Sequence, residues 1–205
     1  MIRPFAGSDI KAAAQMCFDA FGHEIDFYPQ NLPPLIYEMM VRFYKRNSYM
    51  SFVMEEKQEI KAFLLGFWAS DAFCHEEWLQ NAQNSLSEEE KKLFLHYFSY
   101  LHNNGSRVNE ISIAKTAVVG LFVSKGGGNG TLLLEHFEQC AKNLGAQNTL
   151  LWADSFCAHD YYQKKGYTRF CKDSVPSFLL NKIYIFFRKF CEICKFSSII
   201  IGKFV

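Results

Sequence analysis

The spacing of hydrophobic positions predicts alternating strands and helices through the first third of the chain. Residues 2–5 are predicted to form a short strand. From Ile10 to Phe21, apolar residues recur every three or four positions, as on the buried face of an amphipathic helix. A second helix is expected from Pro33–Pro34. Proline is favoured in the first turn of a helix, because the N–H groups there have no intrahelical acceptor and the missing proline N–H costs nothing. Residues 49–70 form two apolar runs about a polar turn at Lys57–Gln58, which indicates a hairpin.

The middle of the chain favours a helical segment followed by a long strand. Residues 75–102 have helical periodicity, and Ser87 with Glu90 forms a capping box, in which each side chain bonds the other residue's backbone N–H. The polar triplet Asn103–Asn104–Gly105 is predicted to end this helix. A long apolar strand is expected over 109–123, with an interruption near Lys115–Thr116.

A glycine-rich turn joins this strand to another helix. Four of the seven residues that follow Val123 are glycine, and a leucine-rich helix is predicted from Thr131 until Gly145 ends it. The remaining predicted elements are a buried strand over 149–154, a helix over 158–165, and strands over 167–171 and 182–190. Strands and helices mixed along one chain, with no repeat or linker between them, indicate a single α/β domain.

The composition agrees with one folded domain and narrows the function classes. The chain has 205 residues, 49% of them apolar, and a net charge of +1, so it can bury a core and has no charge bias toward nucleic acid. No signal region and no run of about 18 apolar residues occurs, so we expect a cytoplasmic protein that does not span a membrane. Its cysteines are then expected to be reduced. Cys191 and Cys194 supply too few ligands for structural zinc, and we expect no metal.

The glycine-rich turn has several features of an anion-binding site. The first N–H groups of a helix lack intrahelical partners, and glycines let the backbone approach a ligand closely. Lys125 adds a positive charge just before the turn. The turn lacks the G-K-[ST] ending of a P-loop and the G-x-G-x-x-G of a dinucleotide fold. The residues of the turn alone leave two readings, a phosphate cradle or a flexible turn without a ligand.

Two groups of residues in this half of the chain resemble the signatures of the GNAT family of acetyl-CoA-dependent N-acetyltransferases. The first group is Lys125, Gly128 and Gly130 followed by Leu132–Glu135, and the second is Ala158, Tyr161–Tyr162 and Gly166–Tyr167. The resemblance covers residues 1–190, with 191–205 as a C-terminal extension. It implies one GNAT-like domain with a central, mixed and mostly antiparallel sheet, flanked by helices and splayed where the coenzyme binds.

The resemblance also implies which residues hold the co-substrate acetyl-CoA. The strand before the turn would pair with the pantetheine arm through its backbone, and the turn would hold the pyrophosphate. The residues so implicated are Leu121, Phe122, Val123, Lys125, Gly126, Gly127, Gly128, Asn129, Gly130, Thr131 and Ser155.

Catalytic groups follow from the same resemblance. Tyr162 stands at the position of the family's general acid, where a phenol gives its proton to the departing thiolate; the alternative is that its ring only packs on the sheet. Glu110, at the expected start of the long strand, is the candidate general base, or else a solvated strand end. Residues 24–28 carry two carboxylates and two rings, and form either the wall of a site for a cationic acceptor or an ordinary connection.

The expected function is therefore transfer of an acetyl group from acetyl-CoA to a primary amine by direct attack in a ternary complex. The acceptor would be a small molecule or a peptide, with no nucleic acid and no membrane involved. The alternative is a non-catalytic CoA- or partner-binding module on the same fold. It is motivated by a turn shorter than the family's and by Ser155 at a position where the family has asparagine. The apolar C-terminal segment is either an extra strand, which would allow a homodimer, or a membrane-surface segment.

Overall fold

The computed structural model describes residues 1–22, 29–46, 49–112, 115–154, 159–173 and 183–189. This part of the chain forms a seven-stranded sheet and six α-helices. The strands are β1 (Ile2–Pro4), β2 (Phe52–Glu56), β3 (Glu59–Trp68), β4 (Thr116–Ser124), β5 (Asn148–Asp154), β6 (Thr168–Asp173) and β7 (Ile183–Lys189). The helices are α1 (Ile10–Phe21), α2 (Leu32–Tyr44), α3 (Glu76–Asn84), α4 (Glu88–Ile111), α5 (Asn129–Asn143) and α6 (His159–Lys164).

The sheet is mixed and mostly antiparallel, as predicted. Its strand order is β1-β2-β3-β4-β5-β7-β6, and β4 with β5 is the one parallel pair among the described strands. Two parallel neighbours need a crossover connection between them, and α5 supplies it. The site that the glycine-rich turn predicts therefore lies in the middle of the sheet, where β4 ends and α5 begins.

Alternate residues of the central strands enter two separate cores. On one face, Phe63, Leu65 and Val118 join apolar residues of α1, α2 and α4 in a large cluster. On the other face, Leu64 and Val119 pack against α5, and we call the cluster there the α5 core. Successive side chains of a strand point to opposite faces of the sheet, so a strand that is covered on both faces contributes alternate residues to each core.

Helix α4 is longer than predicted and does not end at Asn103–Asn104–Gly105. The helix continues to Ile111, so residues 109–111 are helical rather than part of the long strand, and β4 begins only at Thr116. The reason is packing, because Leu101, Asn104 and Val108 are buried. Gly105 stands against Phe43, whose ring would lie 3.5 Å from a Cβ at this position. Tertiary contacts here override a local helix-breaking signal.

β4 and β5 separate halfway along their length, which is the predicted splay. They are paired from Thr116 with Asn148 to Val119 with Leu151, and beyond that point neither strand pairs with the other. The separation begins beside a β-bulge at Gly120, because consecutive residues of β3 lie opposite Leu121 and Val119 and leave Gly120 without a partner. A bulge bends its strand and increases the local twist, which carries β4 away from β5.

An ion-pair cluster attaches the N-terminus to the edge of the sheet. The Arg3 guanidinium binds both carboxylate oxygens of Asp9, at 2.7 and 2.9 Å, and also Glu55 at 2.7 Å. Asp9 is buried and also accepts the backbone N–H of Ala6 at 2.7 Å. Burial alone would raise the pKa of Asp9, but the bonds from Arg3 and Ala6 outweigh it and lower that pKa.

We expect Arg3→Met to lower the free energy of unfolding by about 2 to 4 kcal/mol at pH 7, because it leaves the buried Asp9 carboxylate without its cation. The stability that depends on the lowered pKa of Asp9 is present above the ordinary value of 3.8 and is lost as the pH falls through the lower folded value. The difference between wild type and variant in urea unfolding should therefore shrink in acid. Lys91→Met, which removes an exposed pair with Glu88, is the control and should cost less than about 0.5 kcal/mol. Equal effects of the two substitutions would contradict the assignment.

Candidate functional site

Three consecutive glycines in the left-handed conformation form the turn between β4 and α5. The φ angles of Gly126, Gly127 and Gly128 are +88°, +66° and +77°. Open space surrounds Gly126 and Gly128, so their lack of a side chain is required by backbone conformation rather than by crowding. A non-glycine residue in this conformation costs about 1–2 kcal/mol, and three in a row would disfavour the turn strongly.

Several backbone N–H groups of this turn have no acceptor within the described part of the chain. The N–H of Gly126 is bonded to the Ser124 hydroxyl and that of Asn129 to the Gly126 carbonyl, both at 3.3 Å. Among the described residues, no hydrogen bond is donated by the N–H groups of Gly127, Gly128, Gly130 and Thr131. These donors surround the first turn of α5, where the helix dipole adds partial positive charge. The arrangement fits the phosphate cradle that the sequence predicts.

Gly130 allows α5 to begin directly against the end of β4. A Cβ at Gly130 would lie 3.1 Å from Phe122 and from Ser124, closer than ordinary van der Waals contact. Gly130 is therefore needed for close packing of α5 against β4, whereas Gly126, Gly127 and Gly128 are needed for the backbone conformation of the turn. The N-terminus of α5 is held beside the separated half of β4 as a result.

Two lysines and a glutamate flank the turn. Lys125 pairs with Glu59 at 3.0 Å, and Lys61 binds the other oxygen of the same carboxylate at 2.6 Å. The bonds from Lys61 and then Lys125 lower the pKa of Glu59. The predicted cation Lys125 is thus partly neutralised, and Lys61 is a second cation that the sequence analysis missed. The strand pairing that brings Lys61 to Lys125 is the signal that would have found it, since the Lys125 N–H is bonded to the Lys61 carbonyl.

The edge of β4 that faces β5 is unpaired beyond Val119 among the described residues. Leu121, Phe122 and Val123 lie on this stretch and pair with β3 on the other side only. Such an edge offers backbone donors and acceptors to an extended ligand that lies in the gap as an additional strand would.

Helix α6 brings the second predicted signature next to the first. The Tyr161 hydroxyl lies 3.4 Å from the Thr131 hydroxyl, and Lys165 pairs with Glu135 of α5 at 2.8 Å. The Tyr162 ring packs against the α5 core, 6.1 Å from the Tyr167 ring. Packing of the ring is compatible with both interpretations of Tyr162, so its role as proton donor stays a prediction.

The premise for Glu110 is wrong. Glu110 was expected at the start of the long strand, but it lies in the last turns of α4 with an exposed side chain. A cavity of about 550 Å³ near this end of α4 is lined by its neighbours Asn109 and Ser112 and not by Glu110. No described cavity contact therefore supports its role as general base.

Three sequence predictions fall outside the described residues, namely Ser155, the loop 24–28 and the C-terminal segment with Cys191 and Cys194. Among the residues that are described, no group of three or more metal-ligating side chains is arranged around a common point. None of the helices within the described ranges combines the length and the apolar character that crossing a bilayer requires.

The same arrangement of sheet and helices occurs in solved acetyltransferases. Arylalkylamine N-acetyltransferase 2 from Aedes aegypti aligns at a TM-score of 0.59 and 14% identity, covering 92% of this chain and 98% of that one. The ribosomal-protein-S18-alanine N-acetyltransferase from Escherichia coli aligns at 0.55 and 12%, covering 96% and 99%. The protein SsHAT aligns at 0.65 and 17%, covering 94% and 98%.

The chain has the fold of the GNAT N-acetyltransferases. No protein-family model and no curated protein sequence matches this chain. At 12–17% identity the solved structures establish the fold alone. The GNAT resemblance that two short signatures indicated is confirmed at that level.

We expect Glu59→Gln to strengthen binding of inorganic pyrophosphate by about two- to fivefold in low-salt buffer, because Lys61 and Lys125 would then face the turn without their shared anion. The gain should vanish near 1 M salt, where screening acts within about 3 Å. Glu88→Gln makes the same change of charge at the exposed first turn of α4 and should leave the dissociation constant unchanged. Calorimetric titration of the three proteins decides the matter, and a gain that survives high salt would contradict the electrostatic explanation.

Proposed function

We propose that the protein is an N-acetyltransferase that moves the acetyl group of acetyl-CoA to a primary amine of a small molecule or peptide. One observation carries the proposal. The unpaired edge of β4 leads directly into a turn whose four backbone N–H groups have no acceptor among the described residues. A ligand that is extended at one end and carries phosphates at the other fits this sequence of features.

The residues present suit the parts of acetyl-CoA. Gly127, Gly128 and the first turn of α5 would receive the pyrophosphate, with Lys125 and Lys61 beside it. The backbone of Leu121–Val123 would pair with the pantetheine arm. The bulge at Gly120 would then stand next to the thioester end, where a backbone N–H on the unpaired edge of β4 could polarise the carbonyl. Glycine is required at the bulge, since a Cβ would come within 2.5 Å of the Tyr44 and Phe67 rings.

The transfer requires two proton movements that the chain must support. Acetyl-CoA supplies the activated acyl carbon, to which the acceptor nitrogen forms a bond as the carbon–sulfur bond breaks. The amine loses a proton and the departing thiolate gains one. Tyr162 is our candidate for the second proton, because a phenol of pKa about 10 holds its proton at neutral pH. We leave the base unassigned, since Glu110 lies on α4 rather than at the start of β4.

We expect acetyl-CoA, and not ATP, to bind with micromolar affinity in calorimetric titration. Gly128→Ala should weaken this binding by about tenfold or more, since a side chain at φ +77° disturbs the turn that holds the phosphates. Gly145→Ala is a matched control at φ +86° beyond the end of α5. Both substitutions should cost about 1–2 kcal/mol of stability, and only the first should change affinity. Absence of acetyl-CoA binding by the wild type would favour a partner-binding module instead.

Replacing Tyr162 with Phe should lower the rate of acetyl transfer by about 10²-fold or more while leaving acetyl-CoA affinity unchanged, because only the proton donor is lost. Tyr161→Phe is the control on the same helix, and it should retain turnover. Single-turnover kinetics with a panel of amines measures both. Equal turnover of Tyr162→Phe and wild type would remove the acid role without affecting the proposed transfer.

A further inference from the structure

Arg46 is a buried cation that forms no ion pair with any of the described residues. It lies just after α2 and is only 7% exposed, and its buried Nε has no acceptor in the part of the chain that the structure describes. Among the described residues its guanidinium forms no hydrogen bond and no ion pair. Aromatic faces surround it instead, with Phe43, Phe67 and Phe73 ring centroids at 4.6, 5.4 and 5.7 Å.

Such an environment is costly for an arginine unless something binds it. Burial lowers the pKa of Arg46, yet a guanidinium keeps its proton in proteins. Cation–π contacts offset part of the desolvation but leave the buried Nε–H without an acceptor among the described residues. Asp71 accepts the Trp68 backbone N–H at 2.9 Å, and no hydrogen bond joins Arg46 to Asp71 or Glu76 among the described contacts.

Arg46 lines a cavity of about 230 Å³ between α2, β3 and α4. Phe43, Phe67 and Phe73 form much of its wall, and His102, Ser106 and Asn109 of α4 line it too. Ligand pockets for drug-sized molecules are about 300–1,000 Å³, so this cavity suits a smaller guest. The Asp71 carboxylate also lines the cavity, where it accepts the Trp68 backbone N–H at 2.9 Å. A planar cation among aromatic rings, with a carboxylate nearby that has its own donor, suits a small molecule with one anionic group and an apolar body.

The cavity adjoins the place where transfer is proposed. Tyr44 and Phe67 line the cavity, and the same two rings lie against the bulge at Gly120. Only this aromatic layer therefore separates a guest in the cavity from the point where β4 leaves β5.

We propose that Arg46 binds the carboxylate of the amine acceptor, so that the acceptor is a small amino acid with an apolar body. The anion site stands on the geometry of Arg46, and naming the acceptor as its guest rests on the proposed acetyl transfer. A carboxylate matches the planar guanidinium with two parallel hydrogen bonds. A phosphate dianion fits less well, because Asp71 and Glu76 lie close enough to oppose a second negative charge.

The anion site is tested by direct binding without acetyl-CoA. Butyrate and phenylacetate are titrated into the protein by NMR, each beside its uncharged amide, butyramide and phenylacetamide. At least one carboxylate should bind, about tenfold or more tighter than its amide, and Arg46→Met should abolish the difference. Arg42→Met is the matched control, since Arg42 stacks over Trp78 at 4.7 Å and already pairs with Glu38. If neither carboxylate binds, or if Arg46→Met binds both as wild type does, the proposal is overturned. Arg46→Gln serves in place of Arg46→Met if the latter does not fold.

The acceptor assignment is tested by comparing amino acids with their decarboxylated amines, for instance phenylalanine with phenethylamine and leucine with isopentylamine. The amino acid should have the higher kcat/KM, and Arg46→Met should raise its KM about tenfold without changing kcat or the KM of the amine. If the decarboxylated amines are the better acceptors, the proposed acetyl transfer holds and the proposal of an amino-acid acceptor is refuted. Carboxylate binding at Arg46 without transfer to any amine would refute the proposed function and leave the anion site standing.

Discussion

The close packing of Tyr44 and Phe67 against Gly120 is the contact on which the candidate site depends. Both rings are buried, and a single added carbon at residue 120 would lie 2.5 Å from each. The contact requires glycine at the bulge, and the bulge turns β4 away from β5. Without this separation the sheet would pair continuously across its centre. The backbone edge of β4 would then be used for strand pairing, and no gap would remain for an extended ligand.

The two ends of the separated strand differ in chemistry, and this difference gives the site a direction. At its far end, the left-handed glycines and the first turn of α5 gather backbone donors beside Lys61 and Lys125. Near the bulge, the surroundings are aromatic and mostly apolar. Anionic groups of a co-substrate are thus favoured at the glycine turn. The reacting end would lie in a drier environment, where electrostatic interactions are stronger.

Helix α4 has a part in the site that its own sequence pattern does not show. The turns beyond Leu101 carry His102, Gly105 and Ser106, which close the cavity at Arg46. Gly105 lies against Phe43, one of the rings that stack on the guanidinium. The same packing that prolongs the helix therefore encloses the arginine. In the proposed function, α4 would thus help to select the acceptor on the face of the sheet that carries the large core. The opposite face holds α5 and the coenzyme turn.

The sequence by itself determined the elements whose signals are local. The capping box at Ser87, the apolar periodicity of α1 and α5, and the glycines of the turn each act within a few residues, and each is found where it was predicted. Only the tertiary structure decided the bulge at Gly120, the length of α4 and the burial of Arg46. Each of these arises from residues that are distant in sequence but in contact, such as Tyr44 with Gly120 or Phe43 with Gly105. Periodicity and propensity describe a residue's neighbours along the chain and carry no information about which ring will lie against it.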